Sequence, residues 1–299
     1  MSFLSTAQGG DASAEIVIEP LAKDIGGFPV LRALPHAKRR AVGPFIFLDQ
    51  MGPASFAPGQ GIDVRPHPHI GLATLTYLTE GSLFHRDTLG SAQEILPGAV
   101  NWMTAGRGIA HSERSPLKAR GTERRMTGVQ CWLALPHAHE EAEPAFYHYD
   151  AADMPMLNDT GVSLRLLAGQ AFGAGSPVRV YCSTFYADVH LAAGAAVPLP
   201  DEHEERGVYL LEGGVEIAGA SYGAPVLLAF RPGDRVTIRA THNARFMMLG
   251  GEALDGPRHL WWNFVSSSKE RIDQAKADWV SGAFGLVPGD DKEWIPLPG

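Results

Sequence analysis

Apolar positions along this 299-residue chain fall in short runs cut by glycine and proline. Residues 71–90, GLATLTYLTEGSLFHRDTLG, alternate apolar and polar positions on either side of Glu80-Gly81-Ser82. A period of two marks a strand with one buried face, and the central tripeptide is a turn signal. The segment therefore predicts a β-hairpin. Residues 94–106, EILPGAVNWMTAG, repeat the style around Pro97-Gly98. GPFIFLDQMGP (43–53) and MTGVQCWLALP (126–136) are apolar strands, the latter closed by Pro136. Residues 136–158, PHAHEEAEPAFYHYDAADMPMLN, concentrate acids, histidines and prolines and read as an exposed connection. A second strand-rich block follows. One segment breaks the pattern. In SSSKERIDQAKADWV, Ile272, Ala275 and Trp279 recur at helical spacing. Ser266 to Ser268 offer an N-cap and Gly282 a stop, which predicts a helix over about 268–280.

The two strand-rich halves echo each other. RPHPHIGLATLTYLTEGSL in the first parallels PDEHEERGVYLLEGGVEI in the second, and LPGAVNWMTAGRGIAHSE parallels RPGDRVTIRATHNARFMMLGG. An internal duplication of one β-barrel unit accounts for this. The expected class is all-β, with domains at 1–136 and 159–299, a linker at 137–158 and a short C-terminal α-helix. The 34 glycines and 22 prolines are spread at turn-like intervals, in keeping with many short strands. Lys and Arg total 25 against 33 Asp and Glu, for a net charge of −8. With no basic block, the chain is not expected to bind nucleic acid. Cys131 and Cys182 lie in hydrophobic runs and read as two buried free thiols. No leader pattern is seen, and no apolar run approaches the roughly 18 residues of a membrane span. The expectation is a soluble cytoplasmic protein.

The chemistry concentrates in two pairs. His67 and His69 are two apart on a strand, behind Gly61, and project to one face. His111 and Glu113 repeat the spacing after the Gly106-Arg107-Gly108 turn. Side by side, two such strands offer three imidazoles and one carboxylate, a donor set suited to iron, nickel, copper, manganese or zinc. His137 and His139 also form an i, i+2 pair, but they follow a strand-ending proline among acids and read as solvated. His85, Arg86 and Asp87 either approach the site or face solvent. Gln130 is a candidate hydrogen-bond partner of the site. Phe45, Phe47 and Met103 are candidates for lining an apolar pocket. In the second half, His203 lies in an acidic loop and His242 at a strand end.

The runs RPHPHIGLATLTYLTEGSLFHRDTLG, MTAGRGIAHSE and GVQCWLALP resemble the pirin family of the cupin superfamily. Gly61, His67 and His69 fit the first cupin motif. The glutamate that usually follows it is absent, since Ala73 and Thr74 occupy those positions. Pirins share that departure and use the Glu two after the third His, here Glu113. The resemblance implies two stacked cupin domains of jelly-roll β-sandwich or barrel type, with a metal site in the first and a degraded site in the second. It implies Fe(II) held by His67, His69, His111 and Glu113, with Ni, Cu, Mn or Zn as alternatives. It also implies an oxidoreductase that opens flavonols such as quercetin with O2, with Glu113 as the catalytic base. The alternative it carries is a non-enzymatic, iron-dependent, redox-sensitive regulator that binds a protein partner such as a transcription factor or metabolic enzyme.

Overall fold

The computed structural model describes residues 4, 9–25 and 28–299. Strands dominate, and the chain divides into two compact units. One unit comprises Ala22–Leu31, Asp49–Ala151 and Leu254–Gly299; the other comprises Met1–Leu21, Arg32–Leu48 and Ala152–Ala253.

The first of these contains most of two sheets. Seven strands form one, in the order Ala145–Tyr149, Val100–Thr104, Leu72–Glu80, Arg124–Ala134, Phe45–Phe56, Pro29–Leu34 and Leu21–Asp24. Four form the other, in the order Asp63–His69, Ile109–Arg114, Leu83–Asp87 and Ala92–Ile95. Met51, Leu78 and Met126 of the larger sheet share one apolar core with Leu83 and Ile95 of the smaller. Burying an apolar face of each sheet against the other is what stabilises such a sandwich.

The other unit repeats this plan. Its larger sheet runs Ile16–Ile18, Val226–Phe230, Glu205–Glu212, Ala244–Gly251, Thr184–Leu191, Val162–Ala171 and Met156–Asp159, with Ala174–Gly175 paired to Val162–Ala171. The smaller runs Ala196–Pro198, Thr237–Ala240, Gly214–Ile217 and Ala220–Gly223. Leu164, Phe185, Val208 and Phe246 pack in one core with Val197, Val215 and Ile238. The chain is thus mostly β, with two cupin-type sandwiches whose sheets stay open, and one α-helix, Lys269–Ser281. Ser268 caps that helix by accepting from Arg271 N at 3.2 Å, and Gly282 ends it at φ +79°. Among the described residues, no helix is long and apolar enough to cross a membrane.

Two expectations are corrected. Residues 71–90 are not a hairpin: Leu72–Glu80 and Leu83–Asp87 belong to different sheets. Gly81, at φ +82°, turns the chain from one sheet to the other. Alternation records a half-buried strand and is blind to which strand lies beside it.

The compact units are each assembled from separate stretches of the chain. Ile16–Ile18 pair with Val226–Phe230, so the N-terminal segment joins the unit containing 152–253. Ile272 and Ala275 of the helix pack on Ile70 and Phe264, so the C-terminal segment joins the unit containing 49–151.

Residues 137–158 carry structure of their own. Ala145–Tyr149 pairs with Val100–Thr104 as an edge strand. Glu140 is buried, with its carboxylate on Arg258 Nε at 2.7 Å and on Ser267 N. Finally, Cys131 is buried as expected, whereas Cys182 is half-buried in a bend before Thr184–Leu191; neither is in a disulfide.

Candidate metal centre

Asp63–His69 and Ile109–Arg114 are antiparallel neighbours, with His111 opposite His67 and Ile109 opposite His69. The i, i+2 spacing turns His67 and His69 to one face, and the register brings His111 beside them. Entry into the second strand depends on Gly106. It lies at φ +50°, and a Cβ there would be 1.9 Å from Ala142 O. Between His111 and Glu113 the register slips, so Glu113 faces Val64. Such a bulge re-aims the side chain that follows it.

One ligand nitrogen from each of His67, His69 and His111 lies within 4.8 Å of the others. The His67 and His111 ring centroids are 4.4 Å apart, and His69 is 5.0 Å from each. His67 Nδ1 is 2.9 Å from Arg65 O, so it carries the proton and leaves Nε2 bare. His69 Nδ1 and His111 Nε2 are buried with no hydrogen-bond partner. Buried polar atoms are rarely left unsatisfied, because each such atom costs about 1–3 kcal/mol.

Burial lowers the pKa of all three rings. For His67, the Arg65 carbonyl and the Glu113 charge oppose the fall; for His111, the neighbouring histidines deepen it. Three neutral imidazoles with lone pairs converging on one point fit a divalent transition metal.

Glu113 is not part of that nitrogen group. Its Oε1 accepts from Thr76 Oγ1 at 3.1 Å and its Oε2 from Gln130 Nε2 at 2.8 Å, both donors lying on the larger sheet. Gln130 also donates to Thr76 Oγ1 at 3.1 Å. Gln130 thus takes the polar role considered for it, while Thr76 carried no distinguishing signal in the sequence. His67 and Glu113 are each 7% exposed, against 1% for His69 and His111.

Other candidates separate clearly. His85 and Asp87 are buried, with His85 Nδ1 3.3 Å from His111 Nδ1; Arg86 instead stacks over Phe84. His137 caps no metal group and contacts Arg258 and Asp255. Phe45 and Phe47 are buried, Phe45 packed on Tyr186 and Phe47 beneath the Arg32 guanidinium. His203 is buried rather than solvated, stacked on Phe185 with Nε2 3.0 Å from Gln170 O. His242 is exposed beside Thr241.

Sequence reasoning missed the C-terminal segment. Ile295 N donates to Pro66 O at 2.8 Å, directly before His67. Arg114, directly after Glu113, donates to both oxygens of Asp290, at 2.6 and 2.9 Å. The Asn263 backbone hydrogen-bonds His69. Both strands that carry the triad and Glu113 are therefore braced by residues far along the chain, at a separation where no spacing rule applies.

A family model described as Pirin matches residues 27–133, and one described as Pirin C-terminal cupin domain matches 186–285. A pirin-like protein of Caulobacter vibrioides is 49% identical over 288 residues, covering 95% of this chain and 99% of that one. The chain belongs to the pirin family. A crystal structure of a quercetin 2,3-dioxygenase from Acinetobacter baumannii shares the fold at TM-score 0.88 and 34% identity, covering 95% of each chain. A bacterial pirin from Escherichia coli, crystallised in complex with nickel(II), shares the fold at TM-score 0.63 and 19% identity, covering 80% of this chain and 99% of that one. Within the pirin family, the triad described above occupies the domain matched by the first model.

Proposed function

We propose that this chain is an iron(II)-dependent dioxygenase that opens flavonols such as quercetin with O2. His67, His69 and His111 serve as ligands, and Glu113 serves as both fourth ligand and base. The observation that carries the reading is the Glu113 carboxylate, held by Thr76 and Gln130 and near enough for its charge to act on the His67 ring. The solved quercetin 2,3-dioxygenase of the same fold supports the substrate class.

Iron held by these residues would supply a Lewis-acidic centre. The protein supplies orientation and proton handling. Each Glu113 oxygen accepts one hydrogen bond and retains a lone pair, so the carboxylate can take the proton of the flavonol hydroxyl. Thr76 and Gln130 fix where that proton goes. The resulting flavonolate is electron-rich and reacts with O2, with ring opening and loss of carbon monoxide.

The test is O2 uptake with quercetin on iron-loaded protein, comparing wild type with Glu113→Gln at matched iron occupancy. Removing a general base typically costs about 10²–10⁴-fold, and that is the loss expected. Equal rates in the two would remove Glu113 as base. No uptake in either would reject the dioxygenase reading.

A further inference from the structure

His111 stands at the end of a chain of buried side chains that begins at Asp87. Asp87 is fully buried. Its Oδ1 accepts from Leu89 N at 2.9 Å and from Ser91 N at 3.0 Å. Its Oδ2 lies 2.9 Å from His85 Nε2. The His85 ring stacks on Phe146 at 4.1 Å and 12°, which fixes its plane. The other nitrogen of that ring, Nδ1, is 3.3 Å from His111 Nδ1. His111 Nε2, at the far side, is the buried atom without a partner.

These contacts admit one proton arrangement that leaves His111 able to bind metal. A carboxylate only accepts, so His85 Nε2 carries a proton. A His111 Nε2 that keeps its lone pair requires the His111 proton on Nδ1, so His85 Nδ1 must be bare and accept. His111 Nδ1 then donates to it. We propose that Asp87 and His85 are positioning residues that set the tautomer and ring orientation of His111 for metal. The inference rests on the reading of the histidine triad as a metal site, but not on any turnover. Outer partners of this kind typically change metal affinity by about 10–100-fold.

The chain of hydrogen bonds makes a directional claim that packing alone does not. In Asp87→Asn the amide oxygen stays on the Leu89 and Ser91 N–H groups, so the NH2 faces His85 Nε2. His85 must then accept at Nε2 and carry its proton on Nδ1. That proton points at His111 Nδ1, which pushes the His111 proton to Nε2 and blocks the metal-facing lone pair. His85→Phe has a different effect. It removes the partner without imposing the wrong tautomer.

The experiment is ¹⁵N NMR of the histidine rings on the metal-free full-length protein, with Fe(II) affinity measured anaerobically on the same samples. In wild type, His111 is expected to be protonated at Nδ1 and bare at Nε2. In Asp87→Asn the pattern should reverse, with Fe(II) affinity down by about 100-fold. In His85→Phe both tautomers should be populated, with a loss of about 10-fold. A wild-type His111 protonated at Nε2 would overturn the proposal by itself, whether or not either variant folds. So would an Asp87→Asn spectrum identical to wild type. Failure of quercetin turnover would leave these spectra untouched, so the two readings fail separately.

Discussion

Burial keeps the imidazoles of His67, His69 and His111 below the ordinary histidine range, and this ties the fold to pH. The unfolded chain takes up protons near 6.5, whereas the folded site resists them. Stability from these groups is present above that value and is lost as pH falls below it. Metal-free protein should therefore show a lower denaturant midpoint at pH 5.5 than at pH 7.5. A midpoint that does not change would contradict the neutral triad. Gln130 offers a second test at this scale. Gln130→Leu leaves Glu113 Oε2 without its donor, an expected loss of about 1–3 kcal/mol in a chemical-denaturation series. A change within error would mean that water replaces the amide. The histidine pairs were legible because i, i+2 spacing is a local rule. Thr76, His85 and Asp87 were not resolved as site residues, because their role comes from a neighbouring strand or the facing sheet and leaves no mark on spacing.

Strands were easier to locate than to pair. The apolar–polar alternation of 71–90 marks two half-buried strands, yet the chain changes sheet at Gly81, and a hairpin would have shown the same alternation. The helix was more legible, since its cap, stop and buried face are all local: Ser268, Gly282, Ile272 and Ala275 take the roles their spacing suggests. The tail beyond it has no such signal. Arg114 and Asp290 form a two-pronged pair beside Glu113, with side chains only 20% and 11% exposed. Asp290→Asn should lower stability by about 1–3 kcal/mol, the range for hydrogen bonds to charged groups, read by thermal or urea unfolding. An unchanged midpoint would show that the tail does not brace the strand.

At the level of the whole chain, duplication was visible and connectivity was not. Each half carries its own alternating strands and Glu-Gly turn, but residues 9–18 and 254–299 each join the unit built mainly from the other half. A strand of three residues, Ile16–Ile18, has too little pattern to declare its partner. A fragment ending at residue 136 lacks the edge strand Ala145–Tyr149 and the helix that covers Ile70, so it should fail to give a cooperative unfolding transition. A cooperative fragment would contradict this assignment of segments to units.

The duplication also bears on metal. Among the described residues, one cluster of metal-capable side chains is present, and His203 and His242 are not in it. Elemental analysis of iron-reconstituted protein tests the central claim most directly. Wild type should hold close to one metal per chain, His203→Ala with His242→Ala should match it, and His67→Ala with His111→Ala should lose most of it. Full occupancy in the His67, His111 double variant would contradict the account.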